Sequence, residues 1–429
     1  MHNPLSFLGQ KTFIRYYSKV VKSIAFFPIL ICIGFTILTF IMLSVEKNDM
    51  AADLKEKISY LLISDVDTAR TLMSALIGGV FTLTVFSFSM VMVVLNQAST
   101  SFSPRLLPGL ISNKKHQVIL GVFIGTLLYF IIILIYVKST ENTESNLGLS
   151  LFVASILGIL CLAFFVFFIH SISQSIQIHN IIKKINRYAQ ESIQNLLEEQ
   201  ESYDGKTLSL EDGAPVIRSN RSGYFQGIKR DVLEEVFEDK KIGIQMIPAY
   251  NQFVWEGKPI AKTPKVLDRE ETDIFLSTLD IRIDRHSNGG YFAELIKLKE
   301  ICVKAMSPGI NDPGTAIGSL DALGSLMREV KKLEPSVLIR QGTTEITVRQ
   351  LDMKLLLNDV FKQIRLYAKK DPIVMEKLAD IFKVLVSDEQ LNADYQRAFE
   401  KTLQKLQDDI ENNVDNQADQ EEIIEVIES

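Results

Sequence analysis

Two long apolar runs, Leu72–Leu95 and Val118–Val137, constrain this chain more than any other feature. At about 1.5 Å of rise per residue, each reaches across a hydrocarbon layer of roughly 30 Å. Neither contains Asp, Glu, Lys or Arg. A polar connector, NQASTSFSPRLLPGLISNKKHQ, joins them. The first run is interspersed with small and hydroxylated residues and the second is uniformly greasy. This contrast predicts a packed inner helix beside a lipid-facing one.

Two further apolar runs complete the set, so spans are expected at about 24–43, 71–95, 118–137 and 147–170, forming a four-helix membrane domain over residues 24–170. Residues 1–23 carry Lys11, Arg15, Lys19 and Lys22 among aromatics and no acid, as a basic interfacial N-terminus would. The run after them lacks a small-residue cleavage site and reads as a retained helix. Basic residues cluster in the N-terminus, at Arg105, Lys114 and Lys115 in the second connector, and at Lys183, Lys184 and Arg187 after the last span. The third connector has only Lys138. By the positive-inside rule, both termini and everything after the fourth span face the cytoplasm.

Residues 171–200 keep an apolar residue every three or four positions and read as a helical extension of the fourth span. Residues 201–406 read as a cytoplasmic α+β domain. Within it, Ser222–Pro264 is punctuated by Gly223, Gly227, Gly243 and Gly257 and is expected to form a small β-barrel-like insert, with Asp231–Lys240 as a short helical insertion. Lys258 follows Gly257 but lacks the acidic or methionine neighbours of a lipoylated lysine, so it reads as a turn residue. Helices are expected over Glu271–Asp284, Tyr291–Met306, Pro313–Leu333, Leu351–Tyr367, Pro372–Val386 and Ala393–Asp409, with a hairpin over Val337–Val348. The net charge of −6 owes most to the end of the chain, where the carboxylates from Asp408 onward meet no Lys or Arg. Residues 407–429 therefore read as an acidic tail, disordered or loosely helical. The fold class is an α-helical integral membrane protein with four transmembrane helices and a cytoplasmic α+β domain.

Several function classes fall away. No basic stripe with interleaved aromatics exists, which argues against nucleic acid. Cys32, Cys161 and Cys302 are too scattered for a disulfide frame or a zinc site. Metalloprotease, P-loop, dinucleotide and nucleophile-elbow motifs are absent, so no catalytic residue, metal or cofactor is expected. The charged segment Asp280, Arg282, Asp284, Arg285 and His286 reads as solvated.

Three stretches carry more information. Ser74, Gly78, Thr82, Ser89 and Asn96 recur at helical spacing, and two readings fit: a close helix-packing face, or a polar path for an ion or small solute. No Asp, Glu, Lys or Arg lies inside any span, so an uncharged pore fits better than a proton-coupled carrier. Ser103, Pro104 and Arg105 form a membrane-interface motif, with Arg105 anchoring at headgroups or pairing with an acid of the soluble domain. Ser307, Pro308, Gly309, Asn311, Asp312 and Pro313 stop one helix and cap the next. The N-terminus capped by Asp312 has the polarity to attract an anion, but capping alone accounts for these residues.

The stretches NQASTSFSPRLL (96–107), QVILGVFIGT (117–126) and AMSPGINDPGTA (305–316) resemble, in order and spacing, the signatures of a bacterial membrane-protein family named for domain of unknown function 2254. The likeness runs from about Ile24 to Val330. It implies a four-helix membrane region and a cytoplasmic domain in the bacterial inner (plasma) membrane, and it brings no activity or catalytic residue with it. On these grounds the chain is expected to be an oligomeric channel-like or solute-permeation protein with a cytoplasmic regulatory domain. Its partners are the lipid bilayer and further copies of itself. The alternative is a membrane-anchored scaffold or sensor whose cytoplasmic domain binds a protein or a small ligand.

Overall fold

The computed structural model describes residues 25–46, 57, 62, 65–101, 114–139, 148–175, 177–201, 208–211, 213–229, 243–285, 290–341, 344–387 and 392–428. The chain divides into two compact units, Met1–Asn180 and Ile181–Ser429.

The first unit contains helices α1 (Phe26–Glu46), α2 (Val66–Ser101), α3 (Lys114–Ser139) and α4 (Gly148–Ser175). All four are long and apolar enough to cross a membrane. They pack around a core that includes Met73, Phe123, Tyr129, Phe130, Cys161 and Phe168. Close approach depends on glycine: a Cβ on Gly121 would lie 2.9 Å from the Pro28 backbone, and one on Gly158 would lie 2.7 Å from Leu76 Cδ2. Outside, the bundle exposes Phe40, Phe81, Ile135, Ile159 and Val166. Water would penalise such a surface; a hydrocarbon solvent does not.

Helix α5 (Ile178–Glu201) follows as a separate helix, because Gln177 is not helical. From Ile181 on, α5 belongs to the second unit. There Ser192 Oγ accepts the Tyr291 backbone N–H at 3.0 Å, and Gln200 Oε1 accepts that of Glu334 at 2.8 Å.

The β-barrel-like insert is not what forms. Strands β1 (Val216–Arg218), β2 (Gly223–Ile228), β3 (Gly243–Ala249), β4 (Phe253–Val254), β5 (Pro259–Lys262), β6 (Leu279–Arg282), β7 (Ser336–Gln341) and β8 (Thr344–Arg349) divide between two open sheets. One sheet has the order β1-β5-β3-β8-β7 and the other β4-β2-β6. The free edge of β3 pairs in parallel with β8, about a hundred residues later in the chain, instead of closing on a local strand. The shared core combines Phe225, Ile244 and Ile260 with Phe275, Ile346 and Val348. Within the unit, Gly257 takes φ 76°, which makes Lys258 part of a plain turn. The Asp231–Lys240 helix expected from sequence lies outside the described residues.

The helices of this unit are α6 (Arg269–Thr278), α7 (Gly290–Ala305), α8 (Pro313–Val330), α9 (Met353–Ala368), α10 (Pro372–Val386), α11 (Ala393–Asn413) and α12 (Gln417–Glu428). Capping residues set their starts. Asp268 forms a reciprocal capping box with Glu271, and Asp352 and Asp371 accept first-turn N–H groups. Helix α6 stops ten residues in and the chain continues as the four-residue β6, so the helix expected to reach Asp284 ends at Thr278. The acidic end is likewise not loose. Helix α12 buries Ile423, α11 buries Tyr395, Phe399, Leu406 and Ile410, and α12 packs against α10. Most of their carboxylates are exposed, while Asp409 turns inward to Arg365.

Candidate functional site

Helix α2 presents two faces. Met73, Val80, Ser87 and Val94 are buried and recur every seventh residue. At roughly 100° per residue, Gly78, Thr82, Ser89 and Asn96 lie about 140–180° around the helix from Met73, and Ser74 lies near 100°. All five of these residues are exposed. The face singled out in the sequence therefore points away from its own bundle, and it lines no channel within one chain. Thr82 Oγ1 donates to the Gly78 carbonyl at 2.8 Å, so that hydroxyl is satisfied within its own helix. A Cβ added to Gly78 or Gly79 would meet nothing within 4 Å. With Leu76, Gly158 and Ile159 these residues line an open groove of about 610 Å³ between α2 and α4. Ser87, which the sequence pattern hides among apolar neighbours, is fully buried, and its Oγ has no hydrogen-bond partner among the described residues.

At the opposite end of this unit from Lys114, Glu46 closes α1. Its Oε1 accepts the Leu149 N–H at 3.2 Å, and its Oε2 accepts the Ser150 N–H at 3.0 Å and hydroxyl at 2.8 Å. Tyr129 Oη donates to the Ser150 carbonyl at 3.0 Å. Helices α1 and α3 thus both grip the first turn of α4, with a carboxylate at the positive end of that helix. In the sequence Glu46 is one acid among several in a connector, and nothing marks it out. Ser103, Pro104 and Arg105 lie outside the described residues.

In the second unit, the Ser307–Pro313 motif forms a tight link between α7 and α8. Asn311 adopts φ 46°, a left-handed conformation that Asn tolerates. The Asp312 N–H donates to the Ala305 carbonyl at 2.9 Å. Asp312 Oδ1 accepts the Thr315 N–H at 3.1 Å and Oδ2 accepts its hydroxyl at 2.6 Å. These bonds hold the Asp312 carboxyl below its ordinary range. Pro313 starts the helix where it has no N–H to lose. The motif is a helix cap.

Arg285 is not solvated as its charged neighbourhood implies. Its guanidinium carbon lies 5.3 Å from the Tyr224 ring centre and 4.8 Å from that of Phe292. Nη2 donates to Asp359 Oδ2 at 2.6 Å and Nε to the Asn251 carbonyl at 3.2 Å. Asn251 itself has φ 64°. One side chain thereby ties β2, α7, α9 and the β3–β4 turn together. The sequence signal for it is weak, because stacking partners 61 and 7 residues away are invisible in a local window. His286 lies outside the described residues.

A polar concavity of the second unit lies between α9, α11 and the outer ends of β7 and β8. It is a cleft of about 580 Å³. Arg397, Lys401 and Lys405 enter it from one face of α11, Lys354 from the first turn of α9, and Arg349 from the end of β8. Asp352 and Asp394 are the acids in its lining. Arg349 Nη2 lies 3.3 Å from Asp352 Oδ2, and Arg397 Nη2 lies 2.6 Å from Asp394 Oδ1. Lys354, Lys401 and Lys405 make no ion pair among the described residues. Tyr395 floors the cleft, with its hydroxyl donating to the Leu333 carbonyl at 2.9 Å. Burial pushes this phenol above its ordinary range. Sequence reading had no means of assembling this cleft, since its parts come from residues 335–358 and 394–405.

Comparison with known proteins agrees with the four apolar helices. The family model described as "Predicted membrane protein (DUF2254)" matches residues 21–384. An uncharacterised protein of Mycobacterium bovis is 24% identical over 330 residues, covering 73% of this chain and 61% of its own length. An uncharacterised protein of Mycobacterium tuberculosis gives the same figures, 24% over 330 residues with 73% and 61% covered. The chain thus spans about three fifths of the length of these curated relatives. No solved structure matches it significantly. With the model covering most of its length, the chain belongs to the DUF2254 family of predicted membrane proteins.

Proposed function

We propose that the chain is an oligomeric, channel-like permeation protein of the bacterial inner membrane, with both termini and its second unit in the cytoplasm. Several copies surround an axis lined by α2, and the second unit regulates the assembly. The observation that carries this reading is the outward face of α2. Ser74, Gly78, Thr82, Ser89 and Asn96 are exposed on a helix whose other side is packed. Lipid gains nothing from a glycine pair and a row of hydroxyls, whereas a second helix approaches closely over glycine and a lumen hydrates hydroxyls. The distribution of Lys and Arg supports the orientation.

The test is ion or solute flux in liposomes containing the purified chain, compared with its Ser74→Leu, Thr82→Leu and Ser89→Leu variants. Flux that changes in these variants supports the proposal; silence in all of them, including the parent, defeats it. A second reading, a membrane-anchored sensor, is favoured by the polar cleft between α9 and α11. It predicts ligand binding without flux.

A further inference from the structure

The cleft between α9 and α11 has the size and charge of a small-molecule site, and its lysines lack an internal explanation. At about 580 Å³ it falls within the roughly 300–1,000 Å³ range of ligand pockets. Its lining carries five cations, Arg349, Lys354, Arg397, Lys401 and Lys405, against the two carboxylates of Asp352 and Asp394. Those carboxylates are already engaged by the two arginines. Three ammonium groups are left facing one concavity. Two of them, on Lys401 and Lys405, are i,i+4 neighbours on α11 and repel each other.

Helix α9 begins at Met353 beside the cleft, with Asp352 capping its first turn, and α11 runs along the wall from Asp394 to Lys405. Lysines serving only solubility would spread over a convex surface. Here they converge, and each occupies a position where an anion lowers the mutual repulsion. Asn358 and Thr402 line the same wall. The Thr402 hydroxyl donates to the Ala398 carbonyl at 2.8 Å, while the Asn358 amide makes no hydrogen bond among the described residues. The cleft is too large for a bare phosphate, and its surplus of positive charge matches more than one.

We propose that this cleft binds a small molecule bearing a diphosphate. Lys354, Lys401 and Lys405 contact the phosphate oxygens, Arg397 and Arg349 shape the rim, and Asn358 hydrogen-bonds the organic remainder. The inference goes beyond the permeation reading and does not depend on flux. It deepens the sensor reading by naming the chemistry sensed.

The test is calorimetric titration of the full chain in detergent with inorganic pyrophosphate and, separately, with ADP. The expected result is saturable binding of one equivalent per chain, with the two probes competing and affinity falling as salt rises. The double variant Lys401→Ala/Lys405→Ala should bind at least tenfold more weakly, and Lys401→Arg should retain binding. Both variants should elute and melt as the parent does, since these side chains make no internal ion pair. Absence of binding to both probes, or undiminished binding in the double variant, overturns the proposal. Liposome flux is read separately, so loss of flux with binding intact counts against the channel alone.

Discussion

Glu46 Oε2 accepts two hydrogen bonds from Ser150, one from its backbone N–H at 3.0 Å and one from its hydroxyl at 2.8 Å. This pair fastens the end of α1 to the start of α4 across 104 positions of chain. The first N–H groups of a helix have no partner within it, and an unmet donor at the edge of a hydrocarbon layer is costly. Glu46→Ala should therefore destabilise the apolar unit by about 1–3 kcal/mol, and Ser150→Ala by less, because the backbone bonds survive. Melting of the detergent-solubilised protein checks this; an unchanged melting temperature for Glu46→Ala would remove the assigned role.

Gly78 and Gly158 border the same groove but have opposite surroundings. A methyl on Gly158 would sit 2.7 Å from Leu76 Cδ2, whereas one on Gly78 would meet nothing within the chain. Only the Cδ2 end of the half-buried Leu76 side chain stands in the way, and it borders the groove into which it can turn, so Gly158→Ala should cost no more than about 1 kcal/mol of bundle stability. A bulkier Gly78→Leu should leave the single-chain fold intact and weaken self-association. Analytical ultracentrifugation in detergent separates the two effects, and an equal loss of fold stability in both variants would contradict the geometry.

Arg285 joins four segments through one guanidinium. Removing it strands the partly buried Asp359 carboxylate and opens a gap between two rings. Arg285→Ala should destabilise the second unit by about 2–4 kcal/mol. Arg285→Lys should recover only part of this, since an ammonium cannot stack or bond in two directions as a guanidinium does. Chemical denaturation followed by the fluorescence of Trp255 reports on this unit, and a fully restored lysine variant would count against the stacking account.

Asp312 gives a pH dependence with a definite sign. Its folded-state carboxyl titrates below the ordinary value of 3.8, chiefly because the Thr315 side chain and N–H bond the ionised form. The cap therefore contributes fully above that ordinary value and is lost as pH falls through the lowered one. Asp312→Ala should cost about 1 kcal/mol near neutrality. Because the group is largely exposed, the titrating share of that figure is smaller. The gap between parent and variant should narrow progressively below about pH 4. Amide exchange at Thr315 and Ala316 measures it, and a gap constant with pH would exclude an ionised cap.

The acidic end makes a fourth kind of contact. Arg365 Nη2 donates to the Asp409 carboxylate and, at 2.9 Å, to the Lys405 carbonyl. Ile423 on α12 is buried in the same unit. Ile423→Asp should release α12 and destabilise the unit by about 2–4 kcal/mol. Proteolysis near the C-terminus that is no faster in the variant would show the tail to be dispensable.

What the sequence determined by itself was set by solvent and by local backbone chemistry. Runs of about twenty apolar residues without charge have one stable environment, so α1–α4 were legible to within a few residues. Caps act over three or four residues, so the Asp312–Pro313 start of α8 and the hairpin of β7 and β8 were legible too. Tertiary structure alone decided the rest. The side of α2 that faces outward depends on which neighbours α3 and α4 place against Met73 and Val80. The sheets stayed open because β3 found β8 far along the chain, a pairing with no local signature. Glu46 and Arg285 acquire their roles from partners distant in sequence, and the lysines of the cleft are gathered only by the packing of α9 against α11. A charged residue reads the same in any string, and only its surroundings in space settle whether it is solvated, caps a helix, stacks on a ring or awaits an anion.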